Sequence, residues 1–423
     1  VRRRVLHLVH GSPALGDVGG TELYVAALAR AQGATVLTRD RRIQARPGLR
    51  HVAADHDLWA LGLPAARHPT FSDTWRVPQM AAATARMPSD VLHVHHLAHV
   101  GLELPSDRPV VVTLHDYHLG CVRGQLVDRD GALCPGPALE RCGVCVREHL
   151  LATPGLQALA PLARGLGVHR LARSTVAQAA PSARGLKRLQ DRMRAARGVL
   201  DRADRVLSPS ADLARRVESW GWVERVHVQD LPLVAPLQVA PEPAPGPVRF
   251  VFVGALIPTK GPHVLLEAFA GVDAELTFWG PTPGFDGQPR FAPDLLHAIQ
   301  ATPNARYGGV FGPHQRADVL AQADVLVLPS LWPENSPLVV REAVARGLRV
   351  VVSDHGGASE LDPDAQRVPP GDRGALRAAL MQQVALGRGR RAPRSWPMDA
   401  HVDALDAHYD AAVAEFDSRT GAQ

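Results

Sequence analysis

The chain of 423 residues is 46% hydrophobic and 21% charged, the balance of an ordinary globular enzyme, and its length suits two domains of roughly 200 residues better than one core. No apolar run reaches the ~18 residues of a membrane span, and the basic start VRRRVLHLVH lacks the apolar core and cleavage site of a signal peptide, so the expected compartment is the cytoplasm. A net charge of +5 is compatible with nucleotides, phospholipid headgroups or nucleic acid and selects none of them.

Short β-rich runs, RVLHLVH (4–10), ATVLTRD (34–40), DVLHVHH (90–96) and PVVVTLHD (109–116), alternate with helical stretches. That alternation predicts a parallel sheet buried on both faces. The rhythm breaks over about 120–200, where a cysteine-containing loop leads into an arginine-rich helical insertion. It resumes at RVLSPS (205–210) and VHVQDLP (226–232), then stops at VAPEPAPGP (239–247), whose prolines mark a linker. A second series follows: VRFVFVGAL, AELTFWG, ADVLVLPS and RVVVSDHGG, again separated by helical segments. The expectation is an α/β protein of two Rossmann-like, doubly wound domains facing a cleft, residues 1–238 and 248–395. The stretch 399–416 reads as an amphipathic helix, and residues 396–423 are expected to pack back across the domains.

In HGSPALGDVGGTELYVAAL (10–28) a strand passes through a loop into a helix, which puts Gly19 and Gly20 where the backbone must approach something closely. The run is not a dinucleotide fingerprint, because G-x-G-x-x-G is absent. His115 and Asp116 close a strand, at the end where open sheets keep their ligand groups. A histidine there donates to a sugar hydroxyl, moves a proton, or is merely structural. HVHHLAH (93–99) looks metal-like, but alternate residues of a strand face opposite ways, so His95 and His96 are not expected to share an ion.

FVGALIPTKGPHVLLEAF (252–269) repeats the strand, loop and helix, with Gly254 at the strand end and Lys260 in the loop. Only two lysines occur in the chain, Lys187 and Lys260, so one of them at a cleft loop stands out as a diphosphate ligand. In ADVLVLPSLWPENSPLVVREAV (323–344) Ser336 reads as an N-cap and Pro337 as the first helical residue, forming an anion site at the helix start. Glu334 and Glu342 flank that start, an estimated ~10 Å apart. A hydrolytic pair needs about 5 to 9.5 Å.

Together, GGTELYVAAL, TLHDY, FVGALIPTKGPHVLLEAF and ENSPLVVREAVARGLRVVVSDHGG resemble the glycosyltransferase family 4 pattern, over residues 4 to 416 and least across 120–200. The resemblance implies the B-type two-domain fold and transfer of a sugar from a nucleotide diphosphate to an acceptor hydroxyl with retention of configuration. It implies no catalytic metal or other cofactor, the nucleotide-diphosphate sugar being the donor substrate. Its most specific part is E-x7-E, here Glu334 to Glu342. By resemblance Glu334 contacts donor-sugar hydroxyls, the backbone of Asn335, Ser336, Pro337 and Leu338 holds phosphate, and Glu342 binds the ribose. Lys260 holds the diphosphate beside Gly254, Gly19 and Gly20 approach it from the other domain, and His115 faces the reacting sugar. Many relatives carry arginine directly after the strand glycine, where this chain has Ala255.

Cys121, Cys134, Cys142 and Cys145 are the only cysteines. C-x12-C-x7-C-x2-C in a reducing compartment fits a structural Zn²⁺ site, with free thiols, disulfides or an iron–sulfur cluster as alternatives. Two competing functions stay open: a nucleotide-sugar epimerase of similar fold, for which no second acid/base group is evident, and a zinc-bearing nucleic-acid-binding protein using the arginine-rich 184–216 stretch. Interspersed aspartates dilute that charge and no nucleic-acid module is recognisable, so no nucleic-acid partner is expected. A peripheral contact with the inner face of the membrane is a better use of the stretch than nucleic acid, and a solvated helix a better one still. The acceptor class left open is a carbohydrate, lipid-linked or secondary-metabolite hydroxyl.

Overall fold

The computed structural model describes residues 2–42, 45–63, 76–128, 132–151, 183–234, 239–285, 288–312 and 315–421. Part of the expected insertion over about 120–200, residues 129–131 and 152–182, lies outside these residues. The first domain holds β1 (Val5–Val9), α1 (Gly20–Gln32), β2 (Thr35–Asp40), β3 (Gly48–Val52), β4 (Asp57–Gly62), α2 (Pro78–Arg86), β5 (Val91–Val94) and β6 (Val110–Thr113). It continues through α3 (Leu139–Leu151), α4 (Ala183–Arg202), β7 (Arg205–Ser208), α5 (Ala211–Ser219) and β8 (His227–Val228). The second domain runs β9 (Arg249–Val253), α6 (Pro262–Phe269), β10 (Glu275–Trp279), α7 (Phe291–Ala301), β11 (Ala305–Gly309), α8 (Arg316–Ala321) and β12 (Val325–Leu328). It closes with α9 (Leu338–Ala345), β13 (Arg349–Ser353), β14 (Gln366–Val368) and α10 (Arg373–Ala385), before α11 (Met398–Thr420).

The second sheet is ordered β11-β10-β9-β12-β13-β14, so the chain winds outward from β9 in one direction, then returns to wind in the other. Neighbouring β9 and β12 therefore send their following loops apart, and a crevice opens at their C-terminal ends. Those two loops carry Lys260 and Glu334. The first sheet, β3-β4-β2-β1-β5-β6-β7-β8, has the same switch between β1 and β5. Its β3 to β4 pair is its antiparallel exception. This pair was not expected from the sequence, because GLRHV on the sheet edge carries exposed polar residues and shows no apolar run.

One face of the first sheet packs Leu6, Leu8, Leu92, Val94, Val110 and Val112 under α2, α4 and α5. The opposite face packs Val5, Val9, Val91 and Val111 under α1 and α11. Val402, Leu405, Tyr409 and Ala412 of α11 are all buried there, so the helix that follows the second domain roofs the first. Two chain crossings join the domains side by side, tied where Leu233 N donates to Trp396 O at 2.9 Å. Among the described residues no helix is long and apolar enough to cross a membrane.

Candidate active site in the interdomain cleft

The loop after β9 begins at Gly254, whose φ of +157° is strained for any side chain. A Cβ there would lie 3.4 Å from Lys260 Cδ, so glycine leaves room for the lysine to fold back over the strand end. Lys260 Nζ donates to Glu334 Oε1 at 2.6 Å. The same oxygen accepts from Ser330 Oγ and Trp332 Nε1, each at 2.9 Å. Glu334 is buried, and three donors on one oxygen compensate its desolvation and fix its rotamer. Gly356 and Gly357 brace its backbone from behind: Gly357 N donates to Glu334 O at 2.7 Å, and a Cβ on Gly357 would collide with Asn335 O.

The expected N-cap is off by one residue. Helix α9 starts at Leu338 with Pro337 as cap residue, and no side chain caps its first turn. Ser336 Oγ instead accepts from Arg341, Nη2 at 3.0 Å and Nε at 3.3 Å. Arg341 is fully buried and also pairs with Asp230 of the first domain, which is why the serine hydroxyl turns away from the helix start. The uncapped first-turn N–H groups keep their affinity for an anion.

Glu342 faces a different partner from Glu334. Its Oε1 accepts from Arg316 Nη1 at 2.7 Å, while its buried Oε2 has no hydrogen-bond partner. Burial outweighs the Arg316 charge and raises the Glu342 carboxyl above its ordinary range. A buried carboxylate oxygen lacking a donor is costly and is suited to a ligand hydroxyl.

Asn335 carries the second domain to the first. Its Nδ2 donates to Leu114 O at 2.9 Å and its Oδ1 accepts from Ser210 Oγ at 2.6 Å. Its side chain is thus committed to the domain contact, and only its backbone is left for phosphate. Nearby, both Glu360 carboxylate oxygens accept from the first N–H groups of α5, Ala211 and Asp212, at 2.7 Å each. Across the cleft Gly20 approaches Leu338, where a Cβ would stand 3.7 Å from that side chain. Gly19 has little spare room, since a Cβ would meet the Glu22 carboxylate.

Leu114 immediately precedes His115. The tips of β5 and β6 enclose a cavity of about 20 Å³ lined by His95, His96, Thr113, His115, Asp116 and His118 among others. Asp116 accepts from His96 Nε2 at 2.9 Å and from His118 N at 2.8 Å. Although burial opposes it, the His96 charge and hydrogen bond hold the Asp116 carboxyl well below the usual range. His10 Nε2 meets Glu22 at 2.9 Å beside this group. None of His10, Glu22, Arg316 or Arg341 was singled out from the sequence, and His96 entered there only as a metal ligand that strand geometry argued against. Each belongs to the site through pairing between distant segments, which leaves no local motif.

His95 and His96 do face opposite ways, but His95 joins His7 and His93. Among the described residues these three are the set of His, Cys, Asp or Glu whose ligand atoms lie within 4.8 Å of one another. The four cysteines are half-buried and unpaired by disulfides. Cys142 and Cys145 sit one turn apart on α3, and burial, with neighbouring thiols adding to it, raises both. Among the described residues no three of the cysteines form such a ligand set. Arg192 of the arginine-rich helix is buried and donates to His118 O at 2.6 Å and Leu119 O at 3.3 Å. Other charges of α4 pair locally, Lys187 and Arg194 with Asp191 and Arg202 with Asp204.

A family model described as glycosyl transferases group 1 matches residues 247–385, the stretch that carries Gly254, Lys260, Glu334 and Glu342. The match covers about a third of the chain and most of the second domain. The D-inositol 3-phosphate glycosyltransferase of Rhodococcus erythropolis is 31% identical over 121 residues, 27% of this chain and 27% of that protein. The chain therefore matches about a quarter of that relative's length. Across both domains the fold resembles sucrose-phosphate synthase from Thermosynechococcus elongatus, with a TM-score of 0.59, 18% identity and coverage of 98% and 95% of the two chains. It also resembles the Anabaena protein HepE in complex with UDP and glucose, with a TM-score of 0.57, 14% identity and full coverage of both. The matched stretch is thus the second half of a B-type, two-domain glycosyltransferase fold.

Proposed function

We propose that the protein is a retaining glycosyltransferase that moves a sugar from a nucleotide diphosphate to an acceptor hydroxyl. The observation that carries this reading is the convergence of three strand tips. Lys260 after β9 contacts Glu334 after β12, and the adjoining Asn335 is bonded to the backbone beside His115, after β6. A cation, a hydroxyl acceptor and an imidazole thus meet at one cleft, next to an uncapped helix start. The group 1 match and the UDP and glucose of the HepE complex support a nucleotide-sugar donor.

In this reading the donor diphosphate lies between Lys260 and the first turn of α9, whose backbone from Asn335 to Leu338 receives it. Lys260 then exchanges part of its contact with Glu334 for phosphate oxygens, and Glu334 accepts from hydroxyls of the donor sugar. The unpartnered Glu342 Oε2 accepts from the ribose. As the glycosidic C–O bond breaks, negative charge grows on the leaving diphosphate, where the ammonium and helix start stabilise it. The acceptor hydroxyl attacks the same face and passes its proton to a leaving phosphate oxygen, so no protein nucleophile is needed. Domain closure through Asn335 and Glu360 excludes water that would hydrolyse the donor. His115 faces the reacting sugar. The four cysteines brace the loop leaving the His115 tip, and a structural zinc is the proposed ligand.

A thermal-shift screen of nucleotide sugars tests the reading. A true donor at 100 times its Kd adds about 2.7 kcal/mol of stability. Product NMR with that donor should show the donor's anomeric configuration retained. Inversion, or no shift with any nucleotide sugar, overturns the proposal.

A further inference from the structure

A hydrogen-bonded file of histidines runs from the cleft into the sheet. His115 Nε2 meets His95 Nδ1 at 3.1 Å, His95 Nε2 meets His7 Nδ1 at 2.9 Å, and His7 Nε2 meets Gln32 Oε1 at 2.8 Å. A side branch links Gln32 Nε2 to Tyr409 OH at 3.4 Å, Tyr409 OH to His93 Nδ1 at 2.8 Å, and His93 Nε2 to Thr113 Oγ1 at 2.8 Å. The file exists because β1 and β5 pair with His7 opposite His93, and His95 follows two residues on, on the same face. Tyr24 of α1 lies against both His95 and His115, with ring centroids 5.7 and 5.4 Å away.

All six ring nitrogens of His7, His93 and His95 are engaged, and the His93 and His95 rings stand 4.0 Å apart with 35° between their planes. With each of those nitrogens already paired, the trio is built as a hydrogen-bond network and not as a metal cage.

We infer that His95 and His7 are positioning residues that, anchored by the Gln32 carbonyl, hold His115 in its Nε2–H form and present its Nδ1 lone pair to the cleft. The proton order follows from donor counting. A carbonyl oxygen only accepts, so His7 carries its proton on Nε2, and its Nδ1 must accept from His95 Nε2–H. His95 Nδ1 then accepts from His115 Nε2–H, and the outward nitrogen of His115 is left unprotonated. That nitrogen has no hydrogen-bond partner among the described residues and is not among the sealed, unpartnered atoms. Each ring holds a single proton because burial keeps the rings neutral: it lowers His7 to about 4, His115 to about 3, and His93 and His95 well below the ordinary range.

The inference rests on the reading that His115 faces the reacting sugar, and it specifies how. A neutral lone pair accepts from a donor-sugar hydroxyl and tolerates positive charge developing at the anomeric carbon. An outward N–H or an imidazolium would oppose that charge.

Ring ¹⁵N NMR of the full chain at pH 7, with histidine labelled and His115 assigned through His115→Ala, reads the tautomer directly. Wild type should show His115 protonated at Nε2 alone. Gln32→Glu, which can only accept, should keep that form, whereas Gln32→Leu should convert His115 to a mixture and lower kcat with donor KM little changed. An Nδ1–H form in wild type, which a reversed Gln32 amide would produce, overturns the inference, as does the same tautomer in wild type and a folded Gln32→Leu. The underlying reading is decided separately: if His115→Ala turns over like wild type, His115 does not serve the sugar, whatever its tautomer.

Discussion

Lys260 Nζ lies 2.6 Å from Glu334 Oε1, an ammonium and a carboxylate from two strand tips that stand together before any substrate arrives. In the proposed mechanism the pair holds the cation where the diphosphate binds. Lys260→Ala should weaken binding of a free nucleoside diphosphate by roughly 1.5 to 3 kcal/mol, the cost of a charge-assisted contact. Lys187→Ala, on an exposed helix pair with Asp191, should leave it unchanged. Titration calorimetry compares the two, and equal affinities would sink the assignment.

The two glutamates should separate by ligand. Because the ribose is common to nucleotide and donor, Glu342→Ala should weaken both to a similar extent. Glu334→Ala should spare the free nucleotide and depress kcat by at least tenfold, about 1.4 kcal/mol of transition-state stabilisation. Dissociation constants for both ligands and a single-turnover rate suffice to check this.

Glu342 also has a cost in the empty protein. Its folded pKa is raised above the ordinary 4.5, chiefly by burial, so folding disfavours the ionised form, and wild-type stability falls as pH rises from 4.5 through the folded value. Glu342→Gln does not titrate. Without ligand its melting temperature should gain on wild type across that window and hold the gain at higher pH, as often happens when a site's binding group is neutralised. Melting curves at pH 5 and pH 8 that show the same difference would count against the buried, raised carboxyl.

Asn335 bridges Leu114 O and Ser210 Oγ across the domain contact. Asn335→Ala removes both bonds, at about 0.5 to 1.5 kcal/mol each. The variant should fold, populate more open arrangements and need more donor for half-maximal rate. Small-angle scattering should show a larger radius of gyration than wild type without ligand, and the two should converge once a nucleotide sugar saturates the site. An unchanged radius together with an unchanged KM refutes the latch.

If the cysteines hold zinc, purified protein should carry about one Zn²⁺, bound through thiolates at about 2.3 Å, readable by X-ray absorption. Stripping it under denaturing chelation should lower thermal stability, because binding energy at such a site is folding energy. Brief exposure to EDTA should leave initial rates unaltered. Four titratable thiols in a metal-free native protein dispose of the zinc.

The second domain was the more legible half. Gly254, Lys260 and Glu334 sit at strand-to-helix junctions that local alternation reveals, with Glu342 one turn into the helix that follows, and the 3-2-1-4-5-6 strand order explains why those junctions meet. The one-residue error at Ser336 arose because Arg341, five positions on and buried, draws off the hydroxyl that a cap would use. Tertiary pairing overrode a local preference. The histidine file lay beyond sequence reading for a related reason: its existence depends on the register that sets His7 opposite His93, and a slip of one residue would turn those rings to the other face of the sheet. Arg316, too, precedes its partner Glu342 by 26 residues with no motif connecting them.

Helix α11 imposes an order on synthesis. Tyr409, Leu405 and Val402 fill the face of the first sheet beside α1, yet they leave the ribosome after the whole second domain, at about 5 to 20 residues per second. For some 10 seconds or more the first domain must wait with an uncovered apolar strip and with His93 lacking its tyrosine partner. The second domain, whose core needs nothing from α11, can finish earlier and then hold its neighbour's missing piece close at hand. Translation thus delivers the later domain complete before the earlier one.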